Sequence, residues 1–197
     1  MAFFNRQENP PQYSDAKVYK SFLRQDFRRQ CAYCERTEAF LGGEEAFEVD
    51  HFKPRQRFPE LATVYRNLYY SCRKCNLYKS STWPSDERAK AGFVFADPCI
   101  EDPYLAHLRE HLDGALDELT ACGEFTNGHI RLDRPDICAW RQKRRGARAD
   151  LGTFRSLEQN LLRFLDFAGI HERDQIEEQL GLVRRLIGEL QDRFLIS

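Results

Sequence analysis

Four cysteines form two pairs with the same spacing, Cys31 with Cys34 and Cys72 with Cys75. In a C-x2-C turn both thiolates can face one ion, and two such turns complete the tetrahedral sulfur shell of a structural zinc site. We therefore predict a Zn²⁺ ion at these four residues. Because a four-sulfur shell leaves no open coordination position, the ion would stabilise the fold and take no part in a reaction. The alternatives are four free cysteines buried as small hydrophobic residues, or an iron–sulfur cluster.

A second group of chemically capable residues lies between and just after the cysteine pairs. His51 is the only histidine in this region and could accept a proton near neutral pH. Asp50 precedes it, and Asn76, next to Cys75, offers an amide oxygen, a hard ligand suited to Mg²⁺. Adjacent strand residues point to opposite faces, so Asp50 and His51 can share a site only where a strand ends or twists. Each residue alone also has an ordinary interpretation, a surface turn for the Asp-His pair and a helix cap for Asn76.

Together these groups could hydrolyse a phosphodiester bond. That reaction needs a base for water, a hard cation for the charge on the phosphate and leaving oxygen, and basic groups that hold the backbone. Between His51 and Lys90 there are nine basic and three acidic residues, a difference of +6, although the whole chain carries a formal charge of only -1. A basic site region favours a polyanion such as nucleic acid.

The order of the motifs resembles that of HNH endonucleases with a zinc-stapled ββα-metal core. The pattern is C-x2-C, Asp-His-x-x-Pro, Asn-Leu and C-x2-C-Asn-x-x-Lys, and it covers roughly residues 31–79. The resemblance implies that Asp50 and Asn76 hold a catalytic Mg²⁺ or Mn²⁺ ion and that His51 deprotonates the attacking water. It also implies that Asn67 hydrogen-bonds across the loop and keeps His51 oriented.

Three basic residues are candidate contacts to DNA phosphates, namely Lys53, Arg73 and Lys79. The resemblance points to Lys79 in particular, whereas the ordinary interpretation of such a lysine is a solvated side chain. Glu48 lies two residues before Asp50, so an extended strand would place both on one face. Glu48 could therefore support the cation.

Short elements are predicted around these residues. Residues 47–52 alternate apolar and polar like a half-buried strand, and residues 68–70 form a second short strand. Residues 73–80 begin a short helix that Trp83-Pro84 ends. The N-terminal side contributes a helix over residues 14–30, with Ser14 as its N-cap.

The sequence on either side of the motifs predicts an N-terminal arm, a hairpin and long helices. Residues 1–13 are polar and are interpreted as an arm. Residues 116–132 predict a hairpin around Cys122-Gly123, and residues 136–167 predict one long helix or two with a break near Gly146. Residues 172–195 form a last amphipathic helix.

These elements predict an α+β fold. Residues 1–95 would form an HNH module with its N-terminal helix and zinc site, and residues 96–197 a turn-rich segment and a mainly α-helical region. No segment is apolar for long enough to cross a membrane, and residues 1–13 lack the features of a secretory signal. We expect a cytoplasmic protein with reduced thiols.

A looser resemblance connects the chain to the nuclease subunits of Septu anti-phage systems. It rests on Cys-x-Tyr-Cys-Glu at residues 31–35 and on the turn-rich stretch that begins at Asp97-Pro98. The resemblance implies a role in anti-phage defence or restriction and a partner ATPase of the ABC/SMC type. The chain itself has no G-x-x-x-x-G-K-[ST] loop with which to bind ATP.

The competing class is a non-catalytic zinc ribbon that binds nucleic acid or a protein partner. It would share the cysteines and the basic stretch, but it would not require Asp50, His51 and Asn76 to converge. RNA also remains open as the substrate of a nuclease.

Overall fold

A computed structural model describes residues 3–195, apart from the side chain of His171. The chain has the predicted α+β class. By its internal contacts it divides between Trp140 and Arg141 into two compact units. The turn-rich residues 96–140, which the sequence grouped with the C-terminal region, therefore belong to the same unit as the cysteine pairs.

The first unit contains most of the secondary structure. After a 3-10 turn at Ala16–Tyr19, its elements in chain order are α1 (Lys20–Asp26), α2 (Glu38–Leu41), β1 (Phe47–His51), β2 (Leu68–Cys72), α3 (Arg73–Lys79), α4 (Asp86–Lys90), α5 (Pro103–Ala106), β3 (Leu108–Glu110), β4 (Leu116–Glu118) and α6 (Ala121–Ile130). The first residues of α7 (Pro135–Leu165) complete the unit.

A ββα arrangement lies at the centre of this unit. Strands β1 and β2 pair antiparallel in a register that places Phe47 opposite Cys72 and His51 opposite Leu68. Helix α3 begins directly after β2, so the predicted strand, strand and short helix are confirmed. The helix ends at Ser80, whose φ of +49° is incompatible with a right-handed helix, and not at Trp83-Pro84.

Helix α1 is shorter than the predicted helix over residues 14–30. Its 3-10 lead-in is capped by Asp15 and not by Ser14, because the Asp15 carboxylate accepts a hydrogen bond from the backbone of Lys17. The helix ends at Asp26, and Arg28 and Arg29 then have φ values of +52° and +58°. These two left-handed residues turn the chain into the first cysteine pair.

The N-terminal residues are not a free arm. The side chain of Phe4 is only 1% exposed, and the backbone amides of Phe3 and Phe4 donate to the Pro98 carbonyl at 3.0 Å. Arg6 donates to the carboxylate of Asp26 at 3.2 Å and to the carbonyl of Tyr65 at 2.6 Å. The segment is therefore held by the buried ring of Phe4 and by the buried ion pair of Arg6 with Asp26, neither of which its polar composition predicts.

The hairpin predicted over residues 116–132 is wrong. The hairpin consists of β3 and β4 and turns at Gly114, whose φ is +84°, whereas residues 121–130 form α6. Thr120 caps that helix by accepting from the Gly123 backbone at 3.1 Å. A Cβ on Gly123 would lie 2.2 Å from the His107 carbonyl oxygen, so this glycine permits close helix packing and does not mark a turn.

Two helices make up the second unit, the remainder of α7 and α8 (Ile170–Phe194). Both were predicted, and α7 continues through Gly146 without a break. Leu161, Leu180 and Val183 form a buried cluster between them. Among the described residues, no helix is both long enough and apolar enough to cross a membrane.

Candidate metal and nuclease site

The four paired cysteines converge at one buried point. The sulfur atoms of Cys31, Cys34, Cys72 and Cys75 all lie within 4.8 Å of one another, and each residue is at most 2% exposed. Four soft thiolate donors in a closed cluster fit the requirements of a structural Zn²⁺ ion. This convergence agrees with the zinc site that the spacing predicts.

Two different local structures position the two pairs. In the first, the amide of Glu35 donates to the Cys31 carbonyl at 3.0 Å, and a φ of +58° at Glu35 closes the turn. In the second, Cys72 is the last residue of β2, and Cys75 lies one turn into α3. Any metal at the cluster would therefore fix the start of α3, and with it the position of Asn76.

Burial and mutual proximity oppose the joint ionisation of the four cysteines. Burial raises the pKa of Cys31 well above its ordinary value, and the hydrogen bonds of neighbouring sulfurs raise that of Cys75. Burial also opposes ionisation of Cys34, but hydrogen bonds from the other three cysteines and the charge of Arg36 outweigh it and lower the pKa of Cys34. Four thiolates can coexist in this space only with a compensating positive charge.

Beside the cluster, the candidate catalytic residues line one open cleft of about 870 Å³. Asp50, His51 and Asn76 all face it, together with Glu48. The cleft is further lined by Asp15, Lys17 and Lys20 of the N-terminal segment, by Arg55 of the β1–β2 loop and by Arg73 of α3. The convergence on which the sequence hypothesis depends is therefore present.

His51 is the last residue of β1, where the strand alternation ends, and this allows it to share the cleft with Asp50. Its Nε2 atom lies 2.8 Å from the Ala62 carbonyl oxygen. Because a carbonyl only accepts hydrogen bonds, Nε2 must carry the proton of the neutral ring. Nδ1 is then the nitrogen with a free lone pair, as a general base requires.

Asp50 is held in a buried hydrogen-bonded cluster. The Tyr33 hydroxyl donates to its carboxylate, and the Lys79 ammonium lies 3.0 Å from Oδ2 and 3.1 Å from Oδ1. Lys79 also donates to the His51 carbonyl at 2.6 Å, and its side chain is 0% exposed. This placement differs from the phosphate contact expected for Lys79, since the ammonium has no accessible surface.

Asn76 is oriented by a neighbouring carboxylate. Its amide nitrogen donates to Glu48 Oε2 at 2.8 Å, so the amide oxygen is the atom left for other partners. The other oxygen of Glu48 lies 3.3 Å from Arg73 Nε. Glu48 and Asp50 are two residues apart on β1, and with Asn76 they offer the hard oxygen donors that a Mg²⁺ or Mn²⁺ ion requires.

Asn67 closes the loop between β1 and β2. Its Oδ1 accepts from the Lys53 amide at 2.8 Å, and its Nδ2 donates to the carbonyls of Lys53 and Leu61 at 3.0 and 3.2 Å. The next residue after Leu61 is Ala62, whose carbonyl contacts the His51 ring. The hydrogen bonds of Asn67 thus reach both sides of the loop that surrounds His51.

The other basic candidates have different environments. The Lys53 ammonium lies over the rings of Phe58 and Trp83, 5.5 and 5.8 Å from their centroids. Arg73 is exposed at the cleft, with a side-chain exposure of 66%. Arg73 therefore has surface to offer a phosphate, whereas Lys53 packs partly on aromatic rings.

Comparison with known families agrees with this geometry. Residues 31–82 match the family model described as HNH endonuclease. The chain carries an HNH endonuclease domain. That domain contains both cysteine pairs, the strand end at His51 and all of α3.

Two curated relatives are similar to parts of the chain, and the first match is longer than the HNH domain. Septu protein PtuB of Bacillus mycoides (strain KBAB4) is 29% identical over 125 residues, which is 51% of this chain and 39% of that protein. Septu protein PtuB of Bacillus thuringiensis is 42% identical over 48 residues, 24% of this chain and 18% of that protein. The matched segments thus span less than half the length of either relative. No solved structure matches the chain significantly.

Several residues around the HNH site were not singled out from the sequence. Tyr33 lies between Cys31 and Cys34. Its role as a hydrogen-bond donor to Asp50 is visible only in the folded structure. The Ala62 carbonyl carries no sequence signal at all. Lys17 and Lys20 reach the cleft from the N-terminal segment, whose helical pattern indicated only a packing role.

Proposed function

We propose that the HNH domain is a metal-dependent endonuclease that hydrolyses DNA phosphodiester bonds. The observation that carries the proposal is the convergence of His51, Asp50 and Asn76 on one cleft, with the His51 ring fixed through Nε2. A zinc ribbon that only binds would need neither this convergence nor a ring nitrogen left free to accept a proton.

His51 would act as the general base. Its Nδ1 would take a proton from a water molecule, and the resulting hydroxide would attack phosphorus as the bond to the 3′ oxygen breaks. The hydrogen bond from Nε2 to the Ala62 carbonyl also stabilises the imidazolium formed by that transfer. Because the base must be unprotonated to act, we expect cleavage to slow at acidic pH.

Asp50 and Asn76 would hold the catalytic Mg²⁺ or Mn²⁺ ion, and their oxygen donors suit such a hard cation. When bound, this ion supplies positive charge for the phosphate and the leaving oxygen. Tyr33 and Lys79 keep the Asp50 carboxylate in one orientation. Among basic residues of the cleft, Lys17, Arg55 and Arg73 are exposed and would hold the nucleic-acid backbone.

The biological setting is also a proposal. Similarity to Septu protein PtuB supports a role in anti-phage defence. We also propose the partner that the resemblance to Septu nuclease subunits implies, an ATPase of the ABC/SMC type. We place the protein in the cytoplasm, where its seven cysteines, none of which forms a disulfide, would stay reduced.

Plasmid cleavage tests the proposal directly. The purified, zinc-loaded protein is incubated with supercoiled plasmid and Mg²⁺ or Mn²⁺ beside His51→Ala, with labelled RNA in parallel. We expect nicked or linear DNA from the parent and none from the variant, with DNA binding retained by both. Binding without cleavage by either protein would support the zinc-ribbon alternative, and cleavage of RNA alone would change the substrate. Undiminished cutting by His51→Ala would remove the histidine from its role.

A further inference from the structure

We propose that Arg36 and Arg134 belong to the zinc site as outer hydrogen-bond donors, and that they retain the ion and protect its sulfur ligands from chemical attack. The proposal does not depend on nuclease activity. It rests on one buried and one largely buried guanidinium group, which donate to cysteine sulfurs from separate parts of the first unit.

Arg36 approaches the cluster from the first cysteine turn. Its Nε lies 3.4 Å from Cys34 Sγ and its Nη2 lies 3.9 Å from Cys72 Sγ, so one side chain joins the two cysteine pairs. The side chain is 3% exposed. An arginine buried to this degree needs anionic partners, because its charge cannot be neutralised by losing a proton.

Arg134 approaches a different sulfur from the segment directly before α7. Its Nη2 lies 3.4 Å from Cys75 Sγ, and its side chain is 10% exposed. Nη1 donates to the Ile130 carbonyl at the end of α6, and the guanidinium lies 4.6 Å from the ring centroid of Tyr78. These contacts fix the planar group so that one edge faces the sulfur.

The charges at the site then balance. Four thiolates and one Zn²⁺ ion leave a net charge of about -2 in a buried space, where an uncompensated charge is costly. The two guanidinium groups add +2 and return the cluster to neutrality. Without them the dianion would have to be stabilised by solvent that the closed cluster excludes.

Asp136 connects the two arginines. Its carboxylate lies 2.7 Å from Arg36 Nη1, 3.6 Å from Arg134 Nε and 3.2 Å from Lys74 Nζ. Lys74 offsets the charge of Asp136, so the balance at the sulfurs is kept. Because Asp136 lies in the first turn of α7, the beginning of that helix is held on the zinc site.

Hydrogen bonds to a metal-bound thiolate withdraw electron density from the sulfur, which makes it less reactive toward protons and electrophiles. Outer donors of this kind commonly change metal affinity by about 10- to 100-fold when they are removed. Loss of either arginine should therefore speed both the escape of zinc and the modification of the cysteines.

Zinc release to an excess of a chelating dye and alkylation by N-ethylmaleimide test the proposal on the zinc-loaded full chain. We expect Arg36→Gln and Arg134→Gln to raise both rates by roughly 10-fold or more, with partial recovery in Arg134→Lys. Arg131→Gln is the matched control, since Arg131 lies over the same Tyr78 ring at 5.0 Å and, within the described residues, donates to no sulfur.

Circular dichroism of each zinc-loaded protein checks that the fold is kept. If Arg36→Gln does not fold, Arg134→Gln and Arg134→Lys still decide the question. Release and alkylation rates within twofold of the parent and of Arg131→Gln would overturn the proposal. Nuclease assays have no part in this test, so its failure is separable from failure of the proposed function.

Discussion

The ammonium of Lys79 lies 3.0 Å from the carboxylate of Asp50, and the two side chains are only 0% and 4% exposed. The pair connects the last turn of α3 to the end of β1, next to His51. Tyr33 donates a further hydrogen bond to the same carboxylate, and burial together with that negative charge raises the pKa of the Tyr33 phenol, which stays protonated. Lys79 thus links α3 to Asp50 and to the His51 carbonyl at the end of β1.

Replacing Lys79 by methionine should destabilise the protein more than it weakens DNA binding. The change leaves Asp50 buried without its counter-charge, and breaking a buried pair in this way costs about 3–5 kcal/mol. Urea unfolding of the zinc-loaded protein measures this loss. A double-mutant cycle with Asp50→Asn is the control, because removing both charges should recover part of the stability.

If Lys79 instead contacts a phosphate, as the sequence suggests, Lys79→Met should weaken DNA binding more than it destabilises the protein. Stability would then be nearly unchanged, and the salt dependence of DNA binding would lose about 0.9 of a unit in slope. Arg73→Met provides the comparison, since Arg73 is exposed at the cleft and should show that smaller slope. If DNA affinity depends on salt concentration with the same slope in the parent and in Arg73→Met, Arg73 does not contact a phosphate.

Glu48 should act on the catalytic cation through Asn76. Because its carboxylate accepts from Asn76 Nδ2 at 2.8 Å, it turns the amide oxygen of Asn76 toward other partners. Glu48→Ala should weaken Mn²⁺ binding by roughly 10-fold or more, whereas Glu48→Gln keeps an acceptor oxygen and should lose less. Titration of Mn²⁺ followed by electron paramagnetic resonance measures both affinities in a His51→Ala background.

The two Glu48 variants also separate a positioning role from direct ligation. If Glu48 binds the cation itself, Glu48→Gln should also weaken Mn²⁺ binding by roughly 10-fold or more, because a neutral oxygen replaces a charged ligand. If both bind Mn²⁺ as the parent does, Glu48 has no role at the site. Zinc content serves as the control for folding in each case.

The sequence predicted the parts of the site that depend on local spacing. Two C-x2-C pairs, a strand ending in Asp-His and a helix beginning after the second pair were enough to place His51 and Asn76 in one cleft. The partners of these residues could not be predicted, because they come from contacts distant in sequence. Arg36 meets Asp136 across 100 positions, and no local pattern encodes such a contact.

Errors outside the site have related physical causes. Phe4 occupies a polar segment, yet its ring is buried against Phe27 at 4.8 Å. Gly123 suggested a turn because glycine is common in turns, but here it allows α6 to approach the His107 backbone. In both cases the local structure depends on tertiary packing, which cannot be predicted from the composition of the segment alone.

Acid should weaken the first unit through Glu38. Burial alone would raise the pKa of Glu38, but hydrogen bonds from Arg24 and Tyr70, each 2.7 Å long, lower it below 4.5. A lowered folded-state pKa gives stability that is present above the unfolded pKa and is lost as the pH falls through the folded value. The free energy of unfolding should therefore decrease as the pH drops below about 4.5.

Glu38→Gln isolates this contribution. At pH 7 the variant should be less stable than the parent by about 2 kcal/mol, the scale of a hydrogen bond to a charged group. Below pH 4 the difference should shrink, because the parent loses the same charge. Urea unfolding at both pH values measures it, with the exposed Glu45→Gln as control. A difference that stays constant with pH would show that Glu38 contributes only by packing.

Asn67 should control the rate of cleavage through the position of the His51 ring. Its side chain forms hydrogen bonds with the backbone of Lys53 and Leu61. The carbonyl of the next residue, Ala62, accepts the hydrogen bond from His51 Nε2. Asn67→Ala frees this loop, and a shift of about 1 Å in a base can cost roughly 100-fold in rate. Single-turnover plasmid cleavage measures the rate, while zinc content and DNA affinity should match those of the parent.

Nitrogen chemical shifts of His51 give a readout that does not depend on turnover. In the parent, the neutral ring should carry its proton on Nε2, and Asn67→Ala should lose that preference or broaden the signal. Asn67→Asp is the matched variant, since it keeps the acceptor to Lys53 and loses both donated bonds. If Asn67→Ala retains the parent tautomer and the full rate, the loop is held by its backbone alone and Asn67 has no positioning role.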